Sequence, residues 1–197
     1  MNKFTLLAFF VAFSHLAFGQ KNATTPDTQL LTLKKIDAGP QGVGFTYEPK
    51  LSKKSTVDLS VGAGAGYTIQ SGSFNYVGEV FKPALYLSAT PKYFYNRDRR
   101  LRKGKTLHLN SGNYIGFRLK YVTPSISRET LTRTSILTNV HFGAQRAIGT
   151  NWTLNYHVGL GHGYDAFSNS GAVYPAIDFR FSYVFSDRKL RQPNLKN

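Results

Sequence analysis

The chain of 197 residues contains no cysteine. This absence excludes disulfide bonds, thiolate metal ligands and a lipid-modified N-terminal cysteine. Acidic residues are also scarce, because ten Asp and Glu stand against 25 Lys and Arg, which gives a formal net charge of +15. Beyond residue 19, no apolar run approaches the roughly 20 residues that a membrane-spanning helix requires. The fold must therefore be stabilised by its architecture alone.

The first nineteen residues, "MNKFTLLAFFVAFSHLAFG", have the layout of a secretory signal peptide. Lys3 precedes an apolar run over 4–13, and the small residues Ala17 and Gly19 lie before the predicted cleavage site. A membrane-anchor helix is the alternative, but the run is short and His15 interrupts it. Residues 20–28 are polar and predict a flexible leader. The protein is therefore expected to be exported.

Alternation of apolar and polar residues is the dominant pattern of the remaining chain. In "STVDLSVGAGAGYTIQ" (55–70), every second residue from Val57 to Ile69 is apolar. The same period of two recurs in six further segments: 42–50, 81–96, 113–122, 135–145, 151–163 and 173–185. A weaker eighth segment covers 29–38. Because no helical period competes, the sequence predicts an all-β protein.

The count and spacing of these segments favour a closed antiparallel up-and-down β-barrel of eight strands over residues 29–186. Closure removes the exposed sheet edges, and bacterial single-chain barrels have an even strand number. Short turns at 51–55 and 149–150 alternate with longer connections at 71–80, 123–133 and 164–172. Residues 187–197 are expected to form a basic C-terminal tail.

The apolar face of such a barrel points either to a core or to lipid. Charges of both signs share the polar face in mid-strand, where glycines also accumulate. An eight-stranded barrel has room inside for side chains only, so inward glycines would make space for larger polar groups. We therefore expect the apolar face to meet lipid and a mixed-charge network to fill the lumen. Its predicted members are Glu48, Asp58, Arg118, Lys120, His141, His157, Asp178 and Arg180.

Aromatic residues near strand ends support the membrane interpretation, because outer-membrane barrels carry aromatic girdles at both interfaces. The candidate girdle residues are Tyr47, Tyr67, Phe81, Tyr93, Tyr95, Tyr121, Trp152, Tyr164, Tyr174 and Phe185.

The segment "TPKYFYNRDRRLRKGKTLHLNSGNYIGFRLKY" combines a Tyr-rich strand, a basic turn and a further strand. With the hairpin "FTYEPKLSKKSTVDLSVGAG" and the closing strand "IDFRFSYVF", it resembles small outer-membrane β-barrel proteins of the Bacteroidota type. The resemblance covers roughly residues 40–186. It implies the outer membrane of a Gram-negative bacterium, and an aromatic-ended last strand that the barrel-assembly machinery reads. The activities of that family are mostly undefined.

The densest charge run forms a basic turn between two predicted strands. Its members are Lys92, Arg97, Arg99, Arg100, Arg102, Lys103 and Lys105. One interpretation is a clamp for phosphates of lipid or lipopolysaccharide. The favoured interpretation is a solvated turn that stays outside the bilayer. Because the protein is exported, basic charge points to anionic lipid rather than to nucleic acid.

His141 and His157 fall on consecutive strands and on the same face. If Ala147 pairs with Asn151, the two imidazoles lie directly opposite each other, where two ring nitrogens can bind a metal or titrate near neutrality. No third ligand accompanies them, so an interior polar pair is favoured and no metal site is predicted. The sequence shows no nucleophile motif, phosphate loop or paired carboxylates, and we predict no catalytic residues and no cofactor.

The sequence therefore predicts an integral outer-membrane barrel with a plugged polar lumen and a structural, anchoring or surface-binding role. Two alternatives remain open at this stage. A soluble lipocalin-like barrel would turn its apolar face inward around a hydrophobic ligand. A lipid-modifying outer-membrane enzyme would need catalytic groups brought together from separate strands.

Overall fold

The computed structural model describes residues 29–70, 72–77, 83–125 and 133–185. Within this part of the chain, eight antiparallel strands close into a barrel. They are β1 (Leu33–Gly39), β2 (Gly42–Glu48), β3 (Ser55–Gly64), β6 (Ala84–Phe94), β7 (Gly112–Ser125), β8 (Ser135–Ile148), β9 (Trp152–Asp165) and β10 (Ser170–Val184). Their order around the wall is β1-β10-β9-β8-β7-β6-β3-β2. The predicted fold is confirmed, and the weak first segment pairs with both β2 and β10.

Four shorter elements accompany the barrel. They are β4 (Gly66–Gln70) and β5 (Ser73–Val77), which pair with each other, a short helix α1 (Arg97–Arg102) and a 3-10 turn (His108–Asn110). The predicted signal peptide, the leader and the C-terminal tail lie outside the described residues.

The barrel has two rims that differ in their connections. We call the rim that carries residues 29–32, residue 185 and the connections 49–54, 95–111 and 149–151 the terminal rim. We call the opposite rim, which carries the connections 40–41 and 166–169 and the described residues between β3 and β6 and between β7 and β8, the loop rim. The predicted longer connection 164–172 and the described part of 71–80 lie on the loop rim, whereas most of 123–133 falls outside the described residues.

Side chains alternate strictly between the two faces of the barrel wall. Large apolar residues point outward, as in Leu160 (69 % exposed) and Ile177 (67 % exposed), while their sequence neighbours are inward. The pleat of a strand sends successive side chains to opposite faces, so the sequence alternation becomes an outer apolar surface and an inner polar one. A lipocalin-like arrangement, with the apolar face inward, is therefore wrong.

The predicted strand 55–70 is two strands rather than one. β3 ends at Gly64, the last residue with a partner on β2, and the chain turns at Ala65. Because the β1–β2 hairpin ends at this level, a longer β3 would have an unpaired edge. Instead β4 pairs with β5 and folds toward the lumen, which buries Tyr67 and Ile69 instead of exposing them to the outside.

The terminal rim carries a cluster of outward aromatic rings. Trp152 contacts Tyr183 with ring centroids 5.2 Å apart, and Tyr183 contacts Phe185 at 5.5 Å. Tyr47, Tyr93 and Tyr95 are exposed on the same rim. The prediction is wrong for two girdle residues, because Tyr67 and Tyr174 are buried inside the barrel. A third, Phe81, lies outside the described residues.

Candidate functional site

A cluster of four fully buried charges occupies the lumen nearest the terminal rim. Lys35 Nζ lies 2.8 Å from Glu48 Oε2 and 3.4 Å from Asp58 Oδ1. Lys92 Nζ lies 2.8 Å from Glu48 Oε1 and 2.8 Å from Asp58 Oδ1. Two cations and two anions, contributed by β1, β2, β3 and β6, thus neutralise one another. Such geometry offsets the desolvation of charges that would be very costly alone.

A second cluster lies toward the middle of the lumen. Arg118 Nη1 contacts Asp178 Oδ2 at 3.1 Å, and Arg180 contacts the same oxygen at 3.6 Å. Arg180 also reaches Asp37 at 3.3 Å and Asp58 at 3.7 Å, so it connects the two clusters. Ion pairs therefore run from β2 to β7 through the interior.

The structure places all eight predicted lumen residues on the inward face. It adds Lys35, Asp37 and Lys92, which the sequence interpretation missed. Lys35 and Asp37 belong to the weak first segment, where their alternation with the apolar residues Ile36 and Ala38 is a readable signal. Lys92 was assigned to the basic turn, and this was wrong, because it lies within β6 and is buried among carboxylates.

His141 and His157 stack inside the barrel with ring centroids 4.0 Å apart. The pairing is shifted by two residues from the one considered, since Ile148 pairs with Trp152 and His141 pairs with Gly159. His141 Nδ1 bonds Asn139 at 2.7 Å. His141 Nε2 and His157 Nδ1 have no hydrogen-bond partner in the described part of the chain. The residues that are described contain no group of three or more His, Asp or Glu able to hold a metal ion.

Several inward glycines make room for large inward side chains, as expected. A Cβ at Gly116 would collide with the His141 ring, and one at Gly143 would collide with the Tyr114 ring. At Gly161 the collision would be with Tyr174. Each of these glycines therefore acts as a slot for a ring from the neighbouring strand.

The basic turn forms α1 at the terminal rim. Arg99, Arg102, Lys103 and Lys105 are exposed, Arg100 is half-buried, and Arg97 is buried and donates to the Gln29 carbonyl at 3.1 Å. Burial, together with the positive charges of Arg146 and Arg97, lowers the pKa of Arg100. We call the four exposed cations the basic surface.

Apolar layers lie at both ends of the charged lumen. Near the terminal rim, Leu30 packs with Phe94 and Tyr114. Near the loop rim, the β4–β5 hairpin packs Tyr67, Ile69 and Phe74 against inward residues of four barrel strands. These strand residues are Ala84, Val122, Leu137, Ala172, Tyr174 and Ala176.

A cavity of about 360 Å³ opens beside this hairpin. Lys120, Arg118 and His157 line its polar side, while Leu137 and Tyr174 are among its apolar lining. The described residues include no helix long and apolar enough to cross a membrane.

Comparison with known proteins gives one distant likeness. No family model matches the chain, and no curated protein matches it. Among solved structures, the chain is similar to the outer membrane protein AlkL, determined by solid-state NMR in DMPC lipid bilayers. The two share 14 % identity over 85 % of this chain and 97 % of that one, with a TM-score of 0.37.

Proposed function

We propose that this protein is an integral outer-membrane β-barrel whose lumen is closed and whose role is structural, anchoring or surface-binding. The observation that carries the proposal is the combination of two faces. Apolar side chains cover the outside of the wall, and paired charges fill the inside. Water-soluble monomers rarely expose contiguous apolar patches beyond a few hundred Å². Hydrocarbon is the solvent that suits this outer face.

The paired charges and the two apolar layers support a closed lumen. In a wide channel, charged groups face water and need no partners. Here Lys35, Lys92, Glu48 and Asp58 contact one another, and the β4–β5 hairpin and Leu30 lie across opposite ends. Eight strands enclose little free space once side chains fill it.

The orientation that we propose places the terminal rim in the periplasm, as expected for a barrel inserted by the barrel-assembly machinery. Both described ends of the chain lie at that rim because the strand number is even. The basic surface would then contact phosphates of inner-leaflet lipid, with lipopolysaccharide phosphates as the partner only in the inverted orientation. No nucleic-acid partner and no enzymatic activity form part of the proposal.

Two adjacent residues give a matched test of the outward face. Leu59 is exposed and Ser60 is buried toward the lumen, and the chain has no native cysteine. In lipid vesicles, Leu59→Cys should react with a bilayer-soluble maleimide and resist a charged one, while Ser60→Cys should react with neither. Equal labelling of Leu59→Cys by the charged reagent, or recovery of the protein from the soluble periplasm, would contradict the membrane location.

Planar-bilayer recording tests the closed lumen separately. The proposal expects no steady single-channel conductance from the purified protein. A large and stable conductance would show that the lumen is open, even if the labelling result places the barrel in lipid.

A further inference from the structure

The barrel wall is incomplete on one side near the loop rim. β9 pairs with β10 up to Ser170, but β1 pairs with β10 only from Lys35 opposite Val184 to Ala38 opposite Phe181. Above that level, no described strand of the barrel pairs with the β1-facing edge of β10. The β1–β2 turn and the β4–β5 hairpin lie beside this gap, since Tyr76 donates its hydroxyl proton to the Pro40 carbonyl.

The cavity of about 360 Å³ lies at this gap, and its lining includes residues from both faces of β10. Lys120 and Tyr174 belong to the inward face, while Pro175 and Ile177 belong to the outward face of β10. The volume is within the range of about 300–1,000 Å³ that small-molecule sites occupy. A ligand with a polar head inside and an apolar end at the outer surface fits this shape.

Lys120 provides the polar end of the cavity. Three lysines are buried in the described part of the chain, and Lys35 and Lys92 each contact two carboxylates. Lys120 instead bonds two neutral oxygens, Gln41 Oε1 at 3.1 Å and the Tyr67 hydroxyl at 3.2 Å. Its ammonium also lies 4.6 Å from the centre of the Tyr86 ring. A buried cation without a carboxylate partner is costly, and an anion from outside would offset that cost.

A second polar group in the lining lacks a partner. His157 is 4 % exposed, lines the cavity, and its Nδ1 has no hydrogen-bond partner among the described residues. Arg118 also lines the cavity, but Asp178 already holds it at 3.1 Å. The Lys120 ammonium lacks a carboxylate and His157 Nδ1 lacks a partner among the described residues, which matches a head with a single negative charge.

We propose that this cavity binds a single-chain aliphatic carboxylate, with its head on Lys120 and its chain leaving through the gap beside Pro175 and Ile177. Tyr67, Phe74 and Leu137 provide the apolar contacts for the first carbons of the chain. The inference rests on the proposed membrane location only for where the far end of the alkyl chain lies, because the site for the carboxylate is complete within the barrel.

The experiment compares decanoate with decanol on purified protein in a detergent with an uncharged head group. Carbonyl-¹³C decanoate is titrated by NMR, and decanol is measured by its displacement of the bound decanoate. Wild type should bind decanoate saturably and at least about tenfold more tightly than decanol, as a charge-assisted hydrogen bond predicts. Lys120→Met should abolish this preference and leave decanol affinity unchanged, while Lys120→Arg should preserve it.

Controls separate the site from general effects. Lys53→Met removes an exposed lysine at the terminal rim and should not alter binding. Ala176→Leu fills part of the cavity and should weaken decanoate and decanol together. Lys120→Met should fold, because it leaves no buried carboxylate without a partner. The comparison of decanoate with decanol on the wild-type protein needs no variant.

Three results would overturn the proposal. They are the absence of saturable decanoate binding, equal affinity for decanoate and decanol, and tighter binding of decyl phosphate than of decanoate. These results are distinct from a failure of the membrane location, which the Leu59→Cys and Ser60→Cys labelling tests without any ligand.

Discussion

Lys92 and Glu48 are 44 residues apart in the sequence and lie 2.8 Å apart, nitrogen to oxygen, with both side chains fully buried. The contact joins β6 to β2 across the lumen, although neither strand is the other's neighbour in the barrel. Gln145 from β8 completes the group by accepting from Lys92 at 3.1 Å. One charge cluster thus links strands from opposite sides of the wall.

Removing Lys92 should strongly destabilise the barrel. Lys92→Met leaves Glu48 and Asp58 with Lys35 as their nearest remaining cation, and breaking a buried pair costs about 3–5 kcal/mol. Equilibrium urea unfolding in lipid vesicles measures the loss. Lys54→Met is the matched control, because Lys54 pairs with Asp98 of α1 at 2.6 Å with both side chains exposed, so its loss should change the stability little. Equal effects of the two variants would contradict the importance of burial.

The glycine slot at Gly143 gives a test of close packing. Gly143→Ala places a methyl group against the Tyr114 ring and should cost about 1–3 kcal/mol of unfolding free energy. In a Tyr114→Ala background the ring is absent, so the same substitution should cost far less. Additive losses in the double variant would show that the two positions do not interact.

Arginine substitutions on the outer face of β8 should depend on depth. Val140 lies in the middle of the strand and Ile148 at its terminal-rim end, and both are exposed on the outer face. Val140→Arg should destabilise the barrel by about 2–4 kcal/mol in vesicles, against about 0–1 kcal/mol for Ile148→Arg. The same urea unfolding measures both variants. A soluble barrel would tolerate the two substitutions equally.

Asn110 holds the N-terminal segment at the terminal rim. Its amide accepts from the Leu31 N–H at 2.7 Å and donates to the Leu31 carbonyl at 2.9 Å, and its φ of 58° lies in the left-handed region. Asn110→Gly keeps the backbone conformation and should lose about 1–3 kcal/mol through the unpaired groups. Asn110→Ala should lose about 1–2 kcal/mol more, because alanine disfavours that conformation. Identical losses would argue against backbone strain.

The titration of Asp98 tests its exposed ion pair with Lys54. The hydrogen bond from Lys54 and its positive charge lower the pKa of Asp98. Because the pKa of Asp98 is lower in the folded state than in the unfolded state, the ion pair contributes to the folding stability above the unfolded pKa. This contribution is lost as the pH falls through the folded pKa. Lys54→Met should raise the pKa of Asp98 toward its ordinary value, as followed by carboxyl ¹³C NMR, and Lys53→Met should not. An unchanged pKa in Lys54→Met would contradict the contact.

Much of this architecture is determined by local pattern. Alternation in segments such as 113–122 and 173–185 determines which residues share a face, because the side-chain period of a strand is two whatever its partners are. The inward positions of Arg118, Asp178 and Arg180 could be read in this way, as could the need for glycines beside large rings. Eight such segments are enough to predict a closed barrel, because closing the sheet removes its exposed edges.

Tertiary structure alone decided the pairings and the exceptions. Alternation in the segment 81–96 places Lys92 on the inward face, but only the tertiary structure shows that Glu48 and Asp58 lie beside it rather than the basic turn. The two-residue difference in the His141 and His157 pairing leaves the alternation unchanged, so the pattern could not detect it. The turn at Ala65 and the gap beside β10 have one common cause. β1 and β2 are short, and only the assembled barrel shows where the pairing of β10 with β1 and of β3 with β2 ends.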